Sequence, residues 1–363
     1  MKIDDQIEEI VKELRDTPYN KATEHHIGRL KAKLARLREE SEKRSSSGGP
    51  KKETVSKVGD ATVILVGPPS VGKSTLFNKL TYSDSEVGAY DFTTVDVISS
   101  ILRYKGAKIQ ILDVPGLIKD LRGMGRTVAS YIRASDLIIM MTDPYNLNTF
   151  EEIEEELYNV GIRLNQTKPD VSIKKRLTGG IKINSTVEQD ISEDVFKEIL
   201  KEYKIHNAEI IIREKLDINS FIDALHSNRT YIKCIKVINK IDLIDEESKI
   251  YKELKEREKN DMLEISAEKD IHLDLLKEKI FEKLDLIPIY MKKKGSEIDY
   301  NEPMIIKRGS TVEDVCKKIH RDFVKKFKYA KVIGSSVKYD NQKVGLSHVL
   351  DAGDIITIVL ERY

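Results

Sequence analysis

The stretch "VILVGPPSVGKSTLFNKL", residues 63–80, decides how the chain is read. It passes from an apolar run into a loop bounded by Gly67 and Gly72, then into a segment with helical spacing. Gly67, Gly72, Lys73 and Ser74 fit the pattern G-x-x-x-x-G-K-[ST], with the strand before it and the helix after it that the pattern requires. Such a loop turns its backbone N–H groups inward around a phosphate, and the helix N-terminus adds positive potential. Gly67, Pro68, Pro69, Ser70, Val71, Gly72, Lys73, Ser74 and Thr75 are therefore expected to surround the phosphates of a nucleoside triphosphate. Lys73 would reach the β- and γ-phosphates and serve catalysis, and the Ser74 hydroxyl would bind Mg²⁺.

The base is read further along. "NKID", residues 239–242, follows the strand-like "CIKVI". A carboxylate at Asp242 accepts from both N1–H and the exocyclic amine of guanine, and adenine offers no such donor pair, so the triphosphate is expected to be GTP. Asn239 would steady this loop, and the aliphatic stem of Lys240 would cover the base plane. "SAEKD", starting at Ser266, follows the next strand, where the Ala267 N–H is expected to donate to guanine O6. Between the two ends lies "DVPG", residues 113–116, with Asp113 placed to hold Mg²⁺ through a water and the Gly116 N–H placed to sense the γ-phosphate. "DFTTVD", residues 91–96, offers Thr93 or Thr94 to complete the metal shell, and Thr94 is favoured. Thr94 and Gly116 join Lys73 as the expected catalytic set. Any one of these turns alone would read as a polar turn after a strand; in this order they make GTP binding the simplest account.

Composition bounds the rest. With 363 residues, 40% hydrophobic and 34% charged, the chain has ample core for two or three domains. Lys+Arg and Asp+Glu number 62 and 61, so a basic surface must come from local segregation. Two isolated cysteines, Cys234 and Cys316, and the absence of a run of 18 apolar residues predict a cytoplasmic protein away from membranes. A monomer is expected. From Ala61, the runs "ATVILV", "IQIL", "LIIMM", "CIKVI" and "MLEI" alternate with helical stretches. That predicts an α/β fold: a mostly parallel sheet with helices on both faces.

Spacing divides the chain. Residues 1–45 read as a helical hairpin broken at Thr17-Pro18, and 46–58 as a linker. Asp113 and Asn239 are too far apart for two βαβ units, so residues 162–228 are expected to be an α+β insert between the two parts of the GTPase domain, 59–161 and 229–290. Residues 291–363 read as a small C-terminal α+β unit.

Taken together, "GPPSVGKSTL", "DFTTVD", "DVPG", "NKID" and "SAEKD", with the C-terminal "GSTVEDVCKKIHRDFVKKFKYAKVIGSSVKY…VGLSHVLDAGDIITI", resemble the developmentally regulated GTP-binding proteins in an archaeal-type form. The resemblance covers nearly the whole chain. It implies a translation-associated GTPase with an insert of the ribosomal-protein-S5 type and a β-grasp-like TGS domain facing RNA or the ribosome. The loop "DVPGLIKDLRGMGR" has fewer glycines than that family's pattern, so no roles are carried over between Lys119 and Arg126. The residue after the switch glycine is Leu117, which has no group to orient a water, so intrinsic hydrolysis is expected to be slow. Two remedies are open. A K⁺ ion beside the phosphates, implied by the resemblance, would be held near Ser70; alternatively a partner activates in trans. Arg122, Arg126 and Arg133 are weaker candidates to act in cis.

Two basic stretches bear on partners. Arg29, Lys31, Lys33, Arg36 and Arg38 lie on one expected helix, and a second expected helix, Lys317 to Lys331, carries seven cations against Asp322. The first reads foremost as a solvated face, with RNA contact the sharper alternative, and the second as a solvated face or a surface for ribosomal RNA. A binding module with a vestigial GTPase is the competing reading.

Overall fold

The computed structural model describes residues 3–46, 58–81, 97–114, 126–244, 262–292, 300 and 303–361. The chain forms two compact units, Met1–Glu53 with Glu155–Tyr231, and Thr54–Glu154 with Ile232–Tyr363. It opens with α1 (Ile3–Asp16) and α2 (Glu24–Ser46). Next come β1 (Ala61–Val66), α3 (Lys73–Thr81), β2 (Ile98–Tyr104), β3 (Ala107–Asp113), α4 (Arg126–Ala134), β4 (Leu137–Thr142) and α5 (Thr149–Asn159). The intervening stretch holds β5 (Ile162–Leu164), β6 (Val171–Lys175), β7 (Ile181–Ser185), α6 (Glu193–Glu202), β8 (Ala208–Ile212) and α7 (Ile218–Leu225). The chain then returns through β9 (Thr230–Ile238), β10 (Met262–Glu264) and the helix Leu273–Leu284.

The main sheet runs β10-β9-β4-β1-β3-β2, with β5 also paired to β9. Its pairs are parallel except β2, which runs antiparallel to β3. Strands β1 and β4 are buried along nearly their whole length, as a parallel sheet covered on both faces requires. The five expected strands form. β2 is the addition: "ISSILRY" puts the buried Ser99 and Ser100 in mid-strand, which blurs any apolar signal. Because the strands run parallel, the loops after β1, β3, β4, β9 and β10 leave from one edge of the sheet.

In the other unit, Ile7 and Ile10 of α1 pack on Leu30, Leu34 and Leu37 of α2, the positions the helical periodicity predicts. The hairpin and the insert, separate regions in the sequence reading, lie in one unit. A second stripe on α2, formed by Gly28, Ala32 and Ala35, lets it approach the insert: a Cβ on Gly28 would stand 3.0 Å from Val195 Cγ1, and Ala32 is buried among Val195, Phe196 and Ile199. Of the basic residues of α2, Arg36 turns to the insert, its Nη1 donating to the Glu202 carbonyl at 3.0 Å, while Arg29 and Lys33 are exposed.

The C-terminal α+β part begins at β11 (Leu286–Met291) and β12 (Met304–Lys307). It continues through helices Val312–Ile319 and Arg321–Lys325 to β13 (Phe327–Ile333), β14 (Gln342–Val344) and β15 (Ile355–Leu360). Its sheet order is β12-β11-β15-β13-β14. The single basic helix expected from Lys317 to Lys331 is corrected here. His320 adopts an extended conformation (φ −165°, ψ 138°) that ends the first helix, and Phe327–Ile333 pairs with β15 instead. Its cations are scattered accordingly. Lys318 bonds Asp60 and the Ile305 carbonyl, Lys317 pairs with Glu313, and Lys328 and Lys331 stand on a strand.

Candidate nucleotide-binding site

The loop after β1 is shaped by two close approaches. A Cβ on Gly67 would fall 2.4 Å from the Met141 carbonyl of β4, and one on Gly72 would fall 2.4 Å from Asn239 Nδ2. Gly72 also sits at φ 91°, where side chains are strained. Ser70 takes a left-handed conformation as well, at φ 63°. The loop then feeds directly into α3, whose first residue is Lys73.

Lys73 is 6% exposed, and its Nζ donates to the carbonyls of Gly67 and Pro68 at 3.0 and 2.8 Å. Burial lowers its pKa, and the nearby Asp113 pulls in the opposite direction. Asp113, at the end of β3 and 7% exposed, accepts from Ser74 Oγ at 2.7 Å. Burial raises its pKa, against the pull of Ser74 and Lys73. The two opposite charges thus support each other, but by less than burial opposes them. That is the electrostatic mark of a site built to receive further charge.

The residues expected to read the base gather at the same edge. Asn239 is 2% exposed and works as a clamp. Its Nδ2 donates to the Val71 carbonyl at 2.8 Å, its Oδ1 accepts from the Ala267 N–H at 2.9 Å, and its own N–H bonds the Thr142 carbonyl at 2.9 Å. Its side chain therefore ties the phosphate loop to the turns after β9 and β10, while its backbone N–H anchors it to the end of β4. The Ala267 N–H, the donor expected for guanine O6, lies at this same edge with Asn239 Oδ1 as its partner. Ser266 is fully buried, and its Oγ accepts from the Lys269 N–H at 3.1 Å, holding the last turn in shape. Lys240, at φ 67°, stretches across so that Nζ donates to the Ser70 carbonyl at 2.6 Å. Asp242 lies in a short 3₁₀ turn, exposed, with no hydrogen bond among the described residues.

Magnesium fits these donors. Ser74 Oγ and Asp113 Oδ2 are hard oxygens 2.7 Å apart, and the buried carboxylate lacks full compensation. Mg²⁺ takes one or two protein oxygens and completes its shell with water and phosphate oxygens. Among the described residues, no group of three or more His, Cys, Asp or Glu offers a competing cage. Thr93, Thr94, Gly116, Leu117 and Arg122 lie outside the described residues, as do the side chains of Arg126 and Thr127. Arg133 lies on α4, near its C-terminus.

Comparison with known proteins adds a second, independent line. Residues 62–175 match the family described as 50S ribosome-binding GTPase, residues 178–286 the family described as the C-terminal region of that domain, and residues 287–360 the TGS domain. A GTP-binding protein of Methanocaldococcus jannaschii is 53% identical over 100% of this chain and 94% of its own. Developmentally-regulated GTP-binding protein 2 of Homo sapiens is 44% identical over 99% of this chain and 100% of its own. Developmentally-regulated GTP-binding protein 1 of Xenopus laevis is 46% identical over 97% of this chain and 98% of its own. No helix among the described residues is long and apolar enough to cross a membrane.

Proposed function

This chain is a GTPase of the developmentally regulated GTP-binding protein family, and from that premise we propose that it is a Mg²⁺-dependent switch acting on ribosomes or ribosomal RNA in the cytoplasm. The observation that carries the nucleotide part is the Asn239 clamp. It fixes the phosphate loop and the base-reading turns relative to one another before any ligand arrives, and such preorganisation cuts the ordering cost of binding. The exposed Asp242 carboxylate then accepts from guanine N1–H and the exocyclic amine. The Lys240 stem, already drawn over toward Ser70, lies along the base.

At the other end, Lys73 exchanges the Gly67 and Pro68 carbonyls for β- and γ-phosphate oxygens, which reverses the pressure that burial puts on its charge. Ser74 and Asp113, with Thr94, would hold Mg²⁺, which neutralises charge developing on the phosphates. The Gly116 N–H would report the γ-phosphate. Since Leu117 cannot orient a water, turnover by the chain alone is slow, and either K⁺ beside Ser70 or a partner supplies the missing positioning. Equal turnover in KCl and NaCl would remove the K⁺ reading.

The ribosomal part draws on the description of the family matched by residues 62–175 and on the charge of the C-terminal part, which has 12 Lys+Arg against seven Asp+Glu from Pro303 to Tyr363. Co-sedimentation with ribosomes in GTP, GDP and a non-hydrolysable GTP analogue tests it. Pelleting that is strongest with the analogue is expected of a monomeric switch. Absence of pelleting in every state would overturn the ribosomal reading while leaving the GTPase intact.

A further inference from the structure

We propose that the open face of the three-stranded β6-β8-β7 sheet binds the phosphate backbone of folded RNA. The proposal rests on the RNA-facing role above and adds a surface in the unit that does not hold the nucleotide. One face of this sheet is closed: Ile173, Ile181, Ile183, Ala208, Ile210 and Ile212 pack into the core with α6 and α7. Strand alternation turns Ser172, Lys174, Lys182, Asn184, Glu209 and Ile211 to the other face. The first four of these are exposed and the last two half-buried.

Register decides the layout. Lys174 and Lys182 both pair with Glu209, so the three form one row across the sheet, and Ser172, Ile211 and Asn184 form the next. With strands about 4.8 Å apart, the two lysines stand about 10 Å from each other. The carboxylate between them is already engaged, since Glu209 Oε2 accepts from Arg176 Nη2 at 2.7 Å. Lys174, Lys175 and Lys182 have no ion-pair partner among the described residues, and no acid occurs from Val171 to Ser185. The stretch that crosses to the other side is the reverse: from Thr186 to Tyr203 there are six acids against Lys197 and Lys201. A surface selected only for solubility intersperses the two signs. This unit separates them, in a chain whose totals balance.

Cations clustered in excess over the single carboxylate among them select a polyanion, and phosphate neutralisation dominates such binding. None of the six outward residues is aromatic, so the face has no platform for stacking splayed bases. Duplex or folded RNA, met through its backbone and 2′-hydroxyls, suits lysines flanked by Ser172 and Asn184.

The test is fluorescence anisotropy of a 16-base-pair RNA duplex with the full chain in GTP, across a KCl series. Two variants carry the same change in net charge: Lys174→Glu/Lys182→Glu on the sheet, and Lys197→Glu/Lys201→Glu on α6. The sheet variant is expected to bind on the order of 100-fold more weakly at 0.1 M salt, with a log–log salt slope shallower by about 2. The α6 variant is expected to stay within about threefold of the unmodified chain. Unchanged RNA-free GTP turnover in both reports an intact fold. If the sheet variant binds like the unmodified chain, or both variants weaken equally, the face is not the RNA surface and the broader RNA role stands. If the unmodified chain binds no duplex at all, both readings fall. Tighter, sheet-dependent binding of poly-aspartate than of duplex would assign the face to an acidic protein and overturn the proposal.

Discussion

Each unit buries a set of opposite charges, and the two sets are resolved in different ways. In the unit of the hairpin and insert, Asp223 is held by Arg163 through Nε and through Nη2 at 2.7 Å, and by Arg229 Nε at 2.9 Å. Arg163 also donates to the Tyr158 carbonyl at 2.8 Å and lays its guanidinium 3.5 Å from that ring's centre. Both carboxylate oxygens of Asp223 are engaged there, while the nearby buried Tyr231 Oη makes no hydrogen bond among the described residues. At the nucleotide site, Lys73 and Asp113 are pushed toward neutrality by burial, and the loop carbonyls are weak partners for an ammonium group. Charges bonded directly to one another serve architecture, and charges held mainly by neutral partners are suited to exchange those partners for a ligand.

Five experiments break or sharpen that contrast. The largest effect is expected from Asp242→Asn. Losing two charge-assisted hydrogen bonds to guanine lowers GTP affinity by roughly 10²- to 10⁴-fold, while the new amide donor suits the carbonyl of xanthine. Competition binding with guanosine and xanthosine triphosphates reads it, and unchanged GTP affinity would disconnect Asp242 from the base. Next, Arg163→Ala leaves Asp223 under-compensated and should cost about 3–5 kcal/mol in urea unfolding, with the GTP dissociation constant unmoved. Third, Lys73→Ala should cut turnover roughly 10²- to 10³-fold without lowering thermal stability, because it removes a buried charge whose partners are backbone carbonyls.

Fourth, Asp113→Asn should stabilise the chain by about 1 kcal/mol without nucleotide or Mg²⁺ while abolishing Mg²⁺-dependent turnover. The sign follows from burial. A carboxyl whose pKa is raised in the folded state binds its proton more tightly there, so stability falls as pH rises through that pKa. The variant should lack that loss in a pH series of melting temperatures. The smallest effect concerns His226, which bonds Tyr203 Oη through Nε2 at 2.7 Å and Glu39 Oε2 through Nδ1 at 2.7 Å. Burial, then Arg229, lowers its pKa below the ordinary value. Its contribution is present above pH 6.5 and lost as pH falls below that value, by about 1 kcal/mol or less. A melting temperature insensitive to pH between 7.5 and 5.5 would remove His226 from the packing of α2 on the insert.

Legibility in the sequence tracked the range of the interactions. The strand–loop–helix at residues 63–80 was readable because its glycines and lysine act within one turn of chain. Asn239 could be placed near the site by motif, yet its double grip on Val71 and Ala267 spans 168 and 28 residues. For that reason the sequence offers the Ala267 N–H to the base and gives no sign that Asn239 also reaches it. Spacing predicts an insert over residues 162–228 without saying what covers it. Gly28, Ala32 and Ala35 on α2 were the available signal, a small-residue face opposite the leucine stripe, but small residues announce no partner until the partner's helix is seen.

The sequence by itself determined the α/β class and the order of the turns at the strand ends, because each depends on local turn chemistry and on strand-by-strand hydrophobicity. Only the tertiary structure decided that the N-terminal hairpin shares a unit with the insert, that the basic C-terminal stretch divides between helix and strand, and that the site's turns hang on one buried amide. Those outcomes depend on which surfaces meet and which hydrogen-bond groups pair across long stretches of chain, and periodicity along the chain carries no record of such meetings.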